Sequence, residues 1–421
     1  MNNESMKQVS MKTQKLINWF VFFSVFPFIN IFSNSITFYI FIVIAWQSKG
    51  LWTIYFRNRF VFILLLLMVL ISAILAPYSI MPRYPGFFYS AQFLIQFIYW
   101  LSITFFVVIY YKRINLYQIS LWAFYAVICA SFGYYVLPFS INIEVLSLST
   151  DITRNAFVFD LICGVPLCFF FMKSYFSKLW NNIILLFLLF VFLFTNGRSA
   201  AIIGILEFVL IIYILNSQYR GLVRFSFLSF IFIFIFIQTD YAQIYLDGVA
   251  NNFENVNPRF ANLIRGEDEG DLEEDKSWLH RKLMVDKGLE IVNSYPFFGV
   301  GIGNFSYYDS RLKSYMTYSR LGAESIGYYN SRSAHNSYVQ IMSEIGYMGL
   351  SVVILILVIP IYKLLKVFFT LQIDIEHLCL ISILGMSMHF YAISAIYGAL
   401  PWLVIGLAWG SLQNVVKKSI S

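Results

Sequence analysis

Apolar segments of membrane-spanning length recur along most of this 421-residue chain. Hydrophobic residues make up 59% of it and charged residues only 12%, whereas a soluble domain carries roughly 25% charged residues. About twelve segments approach the roughly 20 residues that a membrane-spanning helix needs. The sequence therefore predicts an all-α fold, a polytopic membrane helix bundle of about twelve transmembrane helices. Their predicted limits are 16–32, 34–47, 60–76, 89–111, 116–139, 157–172, 180–195, 199–215, 222–238, 338–360, 378–392 and 394–412.

The distribution of Lys and Arg between the predicted spans sets their orientation, because cytoplasmic segments carry an excess of these residues. With a cytoplasmic N-terminus, the short outer loops hold only Arg83, Arg154 and Arg198. The cytoplasmic segments then hold Lys7, Lys12, Lys15, Lys49, Arg57, Arg59, Lys112, Arg113, Lys173, Lys178, Arg220, Arg224, Lys363, Lys366, Lys417 and Lys418. This asymmetry predicts that both termini are cytoplasmic and that the long polar segment lies outside.

Three regions follow from this topology. Residues 1–238 form an N-terminal transmembrane bundle of about nine spans, and residues 336–421 form a C-terminal bundle of about three. Between spans nine and ten, residues 239–335 form one large outer loop with short helices. The net charge of +7 is scattered between apolar segments, which argues against a nucleic-acid partner. Membrane lipids are the expected surroundings.

A helix is predicted inside the outer loop, over residues 278–293. Its Arg281 falls at the edge of an apolar face, and Pro296 lies just beyond its end. The apolar residues assigned to that face by helical spacing are Trp278, Val285, Leu289 and Val292. The glycines within residues 299–303 predict a tight turn where two backbones approach closely.

Three polar features are candidates for chemistry at the outer face. Residues 195–200 (TNGRSA) form a very short turn that places Arg198 at a helix N-terminus. A guanidinium there suits a phosphate, although an interfacial Arg that reaches lipid headgroups fits the same pattern. The second feature, His280 with Arg281 in the loop helix, fits a binding residue or a solvated one.

The third feature is the segment 333–338 (SAHNSY), which opens the tenth span. His335 would stand at a helix N-terminus, where the helix dipole favours the neutral, proton-accepting imidazole. A purely structural interfacial His fits this position as well. Glu344 follows nine residues later, half a turn away around the helix, so no direct pair with His335 is expected.

These segments resemble the O-antigen ligase family. Residues 335–350 (HNSYVQIMSEIGYMGL) are similar to its His-Asn…Glu-x-Gly-x-x-Gly signature. Residues 195–200 resemble its Arg turn, with Gly197 where the family usually has Ser or Thr. Arg281, followed by the Pro-Gly segment, resembles its loop Arg. The family includes O-antigen ligases, many O-antigen and exopolysaccharide polymerases, and some protein O-oligosaccharyltransferases.

The resemblance implies a GT-C-like glycosyltransferase of the bacterial inner membrane with a periplasmic active site. Its donor would be an undecaprenyl-diphosphate-linked glycan. Its acceptor would be a sugar hydroxyl, on lipid A–core for a ligase or on another lipid-linked repeat unit for a polymerase. The implied general base is His335, and the implied diphosphate ligands are Arg198 and Arg281. Supporting candidates are Asn336, Glu344 and His280.

The resemblance further implies an inverting reaction without a metal or another cofactor. The sequence leaves ligase and polymerase open. A transporter or flippase of lipid-linked glycans is the alternative from another class, although the candidate charges gather at one face and do not line a path through the membrane.

Overall fold

A computed structural model gives the architecture of the chain. It describes residues 9–31, 34–47, 60–79, 86–136, 140–142, 146–149, 154–195, 198–215, 248, 250–252, 276–308, 333–368 and 375–418. The ninth predicted span, 222–238, and most of the predicted outer loop lie outside the described residues.

The described chain is mostly helical. Every predicted span except 222–238 overlaps a helix. Within the predicted outer loop, the described residues include a further long helix and a short 3₁₀ helix, Phe305–Tyr307. The helices are α1 (Met11–Val25), α2 (Ile36–Gln47), α3 (Phe60–Ser79), α4 (Gly86–Tyr110), α5 (Leu116–Tyr135), α6 (Arg154–Tyr175), α7 (Lys178–Phe194), α8 (Arg198–Leu215), α9 (Lys276–Ser294), α10 (Ser337–Phe368), α11 (Ile375–His389) and α12 (Ala399–Lys418).

Four described helices contain a segment long and apolar enough to cross a membrane. These segments are Phe93–Tyr110, Leu116–Tyr135, Asn155–Tyr175 and Ser337–Leu365, within α4, α5, α6 and α10. Shorter apolar stretches occupy α2, α3, α7, α8 and α12. The chain is therefore a multi-pass membrane protein.

A small antiparallel sheet, which the sequence did not predict, lies at one end of the bundle. Its strands are β1 (Ile29–Ile31), β2 (Asn34–Ser35), β3 (Ser140–Asn142) and β4 (Leu146–Ser149), in the order β2-β1-β4-β3. The predicted first span, 16–32, was thus too long. Helix α1 ends at Val25, two residues before Pro27, because proline disfavours helical geometry in the residue that precedes it. We call this part of the molecule the sheet end.

One hydrophobic core joins α1–α8 with α10–α12. Side-chain hydroxyls tie the C-terminal helices to the earlier ones through main-chain carbonyls. Ser72 Oγ donates to the Glu344 carbonyl at 2.6 Å, Thr104 Oγ1 to that of Trp402 at 2.7 Å, and Ser382 Oγ to that of Cys163 at 3.0 Å. Hydrogen bonds between membrane helices contribute roughly 0.6–2 kcal/mol each, so these contacts help to fix α10–α12 within the bundle.

Candidate active site

His335 lies two residues before the first residue of α10, at the helix N-terminus that the sequence predicted. Its φ is 51°, and it is the single non-glycine residue with a positive φ in the described part of the chain. Such geometry is uncommon outside glycine and is often retained at functional sites. The His335 side chain is partly buried.

Asn336 caps α10 and thereby fixes the backbone next to His335. Its Oδ1 accepts the N–H groups of Tyr338 at 3.0 Å and Val339 at 3.1 Å. Asn is among the preferred N-cap residues because it satisfies N–H groups that have no partner within the helix. Asn336 is itself buried, so the cap holds the His335 main chain in one conformation.

Ser337 joins this helix start to the segment that follows α11. Its N–H donates to the carbonyls of Phe390 at 2.8 Å and Ile393 at 3.0 Å. Its hydroxyl donates to the Ile393 carbonyl at 2.6 Å and accepts the Ala395 N–H at 2.9 Å. The turn that carries His335 is therefore supported by the segment that follows α11.

Helix α9 packs against the same helix start. A second hydrophobic cluster consists of Leu283, Met284, Ile291, Val300, Phe305, Ala334 and Val339. A Cβ added to Gly288 would lie 2.2 Å from the Val339 side chain, so the two helices approach closely at this point. Since Ala334 and Val339 flank His335, the cluster fixes α9 beside the candidate base.

The predicted apolar face of α9 was wrong in part. Leu289 was assigned to the buried face, but its side chain is 43% exposed, and the helix buries Lys287 completely. Helical spacing alone gave the wrong rotation because it does not include the tertiary contacts that bury Lys287. The predicted helix itself is confirmed, since α9 covers residues 276–294.

Arg281 is partly buried on α9 and acts electrostatically on His389, the last residue of α11. His389 is buried and stacks on Phe159, with ring centroids 6.1 Å apart. The next residue, Phe390, accepts the Ser337 N–H. Arg281 and His335 therefore belong to one connected region.

Two predicted site residues are described by their backbone alone. Arg198 is the first residue of α8, four positions after the last residue of α7, Phe194, so it stands at the helix N-terminus that the sequence predicted. His280 precedes Arg281 on α9. The side chains of Arg198 and His280 lie outside the described residues.

The glycine-rich segment after α9, residues 296–303, docks on α10 through main-chain atoms. The N–H groups of Val300 and Gly301 donate to the carbonyls of Ser343 at 3.0 Å and Glu344 at 2.9 Å. In return, the Tyr347 N–H donates to the Pro296 carbonyl at 2.8 Å. These bonds confirm the close backbone approach predicted from the glycines.

The docking depends on a break in α10 at Gly346. This residue has φ 77° and ψ −177°, a conformation essentially restricted to glycine. The break frees main-chain groups of α10 to pair with the docked segment. A Cβ added at Gly346 would lie 2.1 Å from the Phe297 carbonyl oxygen, so any larger residue would collide with the docked segment.

Glu344 fastens the same segment with its side chain. Its carboxylate is fully buried and accepts the N–H groups of Gly303 at 2.9 Å and Phe305 at 3.4 Å. It also accepts the Gln340 amide at 3.1 Å and the Tyr397 hydroxyl. Glu344 is thus a clamp between three parts of the chain, and its placement away from His335 agrees with the predicted absence of a direct pair.

Three residues near the site were missed from the sequence. Lys287 is fully buried, with its ammonium 4.9 Å from the centre of the Phe305 ring. Lys287 follows Leu283 by four residues, about one helical turn, and this spacing was the sequence feature that could have indicated its burial. Tyr397 and His389 reach the site only through the packing of α11 and α12, and no local pattern marks either of them.

Residues 183–354 match the family model described as O-antigen ligase. The matched region runs from α7 into α10 and includes Arg198, Arg281, His335 and Glu344. A search of curated proteins gave no match to the chain.

Proposed function

We propose, from the match of residues 183–354 to the O-antigen ligase family model, that this chain transfers a glycan from undecaprenyl diphosphate to a sugar hydroxyl. The observation that supports the proposal is that the two segments carrying Arg281 and His335, which both resemble family motifs, pack against each other. The glycine-rich segment and Glu344 hold the helix of Arg281 against the helix start of His335. The acceptor is lipid A–core for a ligase and a second lipid-linked repeat unit for a polymerase.

His335 acts as the general base. As the acceptor oxygen attacks the anomeric carbon, its proton passes to the imidazole, and the bond from the anomeric carbon to the diphosphate oxygen breaks. General-base catalysis requires a proton acceptor with a pKa near the working pH. The capped turn and the support from Ser337 favour one fixed orientation of the ring.

Arg281 and Arg198 bind the diphosphate leaving group, which departs with the electron pair of the broken bond. Fixed cations stabilise the negative charge that builds up in the transition state. A guanidinium pairs with phosphate oxygens in a bidentate fashion. Arg281 is supported in this role by the packing of α9 beside His335, and Arg198 by its place at the start of α8.

The reaction needs no second acid, because a diphosphate is already a good leaving group, and it needs no metal, because Arg198 and Arg281 supply the positive charge that stabilises it. A single displacement inverts the anomeric centre. We place the reaction at the periplasmic face of the inner membrane, with cytoplasmic termini, on the basis of the Lys and Arg asymmetry of the sequence.

The test is glycan transfer by purified protein in liposomes that contain the lipid-linked glycan of the host strain. Lipid A–core and a second lipid-linked unit are supplied as separate acceptors, and product ladders and released undecaprenyl diphosphate are measured. His335→Ala is expected to lower the rate by about 10²–10⁴-fold, as for loss of a general base. The matched control is Arg113→Ala, an exposed cation in the α4–α5 turn.

The two acceptors separate ligase from polymerase. A flippase would move the lipid-linked glycan without releasing undecaprenyl diphosphate. Transfer by folded His335→Ala protein at the wild-type rate would remove His335 from the mechanism, and absence of transfer to either acceptor by the wild type would overturn the proposed function.

A further inference from the structure

A cavity of about 380 Å³ opens at the sheet end of the bundle. It lies between α1, α2, α4, α6 and the segment that joins α11 to α12. Its volume falls in the roughly 300–1,000 Å³ range of small-molecule sites. Its lining mixes polar and aromatic side chains, among them Ser24, Gln96, Tyr99, Trp100, Asp160 and Ser394.

Three residues of the cavity wall each have a buried oxygen without a hydrogen-bond partner among the described residues. They are Asp160, whose side chain is 6% exposed and whose Oδ2 is unsatisfied, and Tyr99 and Ser394, through their hydroxyls. Burying an unsatisfied polar oxygen is costly, and folded proteins satisfy nearly all such atoms. A ligand that forms hydrogen bonds with this wall would supply the missing partners.

The aromatic part of the wall suits one face of a sugar ring. Trp100 stacks on Tyr397, with ring centroids 5.5 Å apart and planes inclined by 21°. A pyranose presents an apolar C–H face, which packs on aromatic rings, and a rim of hydroxyls, which donate to a carboxylate.

The cavity wall is joined by hydrogen bonds to the residues that support the candidate active site. Ile393 and Ala395 line it, and both are hydrogen-bonded to Ser337, two residues after His335. Tyr397 also lines the cavity, and its hydroxyl donates to Glu344. A ligand held in the cavity would therefore lie against the support of the catalytic turn.

We propose that this cavity is a saccharide subsite that binds one neutral pyranose unit of a substrate glycan. Asp160 accepts hydroxyl hydrogens of the sugar, Ser394 adds a further hydrogen bond, and Trp100 packs on the ring face. The inference deepens the proposed function and rests on it for the nature of the substrate. It applies to a sugar of the donor or of the acceptor, which share this chemistry.

The experiment measures binding, without transfer, by saturation-transfer NMR on purified protein in nanodiscs. The probes are methyl glycosides of four classes: hexoses, N-acetylhexosamines, 6-deoxyhexoses and hexuronic acids. Asp160→Asn replaces one carboxyl oxygen by an amide nitrogen at constant size, and Ala156→Leu fills the cavity, which Ala156 lines. The matched control is Glu207→Gln, which alters another buried carboxylate outside this cavity. Size-exclusion profiles verify that each variant is folded.

The wild type is expected to bind at least one neutral glycoside, and both cavity variants to bind it about tenfold more weakly, since the first loses a buried oxygen that accepts a sugar hydroxyl and the second loses the space for the ring. The control should bind as the wild type does. No binding of any probe by the wild type, or unchanged binding by both folded variants, would overturn the subsite.

The KM values for donor and acceptor then show which substrate carries the bound sugar. The same assay separates failure of the subsite from failure of the proposed enzymatic function. In the transfer assay, Asp160→Asn should raise the KM for the donor if the unit belongs to the donor, and the KM for the acceptor if it belongs to the acceptor. An unchanged KM for both substrates would refute the subsite. Glycoside binding without any transfer would refute the proposed enzyme while leaving a sugar-binding cavity.

Discussion

Replacement of Glu344 tests whether this residue positions the loop or takes part in the chemistry. Glu344→Ala would remove the acceptor of two buried main-chain N–H groups, those of Gly303 and Phe305. Each buried donor left unsatisfied costs about 1–3 kcal/mol, so the docked segment should lose roughly 2–6 kcal/mol of stabilisation. A loss of about 2 kcal/mol would already reduce the fraction of molecules in which the Arg281 helix is docked. We therefore expect the transfer rate to fall by at least about tenfold.

Glu344→Gln should be much milder. The Gln oxygen can still accept from Gly303 and Tyr397, and its new NH₂ group would face the Gln340 amide. Gln340 Oε1 is buried without a hydrogen-bond partner among the described residues, so rotation of that amide would supply an acceptor. The remaining loss is the bond to Phe305, which at 3.4 Å is already long.

The assay combines transfer rates with amide hydrogen exchange over residues 296–305. In Glu344→Ala, exchange there should accelerate because local opening becomes easier, while Glu344→Gln should keep most of its activity and protection. A Gln variant that is as inactive as the Ala variant, with normal protection of the segment, would refute the positioning role and indicate that the carboxylate acts on the reaction itself.

Three further outcomes are expected. Arg281→Lys should retain less transfer than the wild type and more than Arg281→Ala, since lysine keeps the charge but not the bidentate fork; equal rates for Arg281→Ala and the wild type in the liposome assay would contradict its role. Gly346→Ala should lower the thermal unfolding temperature of the purified protein, because its φ of 77° and the carbonyl 2.1 Å from the added Cβ both oppose a side chain, and an unchanged temperature would show that the break relaxes freely. Reporter fusions should indicate the periplasm near Asp271 and the cytoplasm at Ser421, and the reverse pattern would disprove the orientation.

The sequence predicted the helices well because apolar segments of spanning length have few other stable structures in a membrane. It did not reveal the sheet, since strands of two to four residues at the ends of apolar segments leave no alternating pattern. The predicted first span extended too far because apolar residues continue past Pro27 into β1.

At the candidate site, features encoded within a few neighbouring residues were predicted correctly, whereas features that depend on contacts between distant segments were not. His335 was correctly placed at a helix start because the Asn336 cap is encoded within a few residues. The part played by Glu344 could not be predicted, because it depends on the break at Gly346 and on partners from a distant segment. The rotation of α9 was missed because Lys287 is buried by contacts that helical spacing does not include.

The docking of residues 296–303 uses peptide groups, so it places little demand on the exposed side chains of that segment, whereas Val300 is buried in the second hydrophobic cluster. Phe297, for example, is 66% exposed although the carbonyl of Pro296 and the main chain of Gly299 both lie against α10. Backbone attachment of this kind separates the geometry of the segment from the chemistry of its outer surface. Exposed positions of the segment can therefore be varied while the glycines preserve its docking on α10.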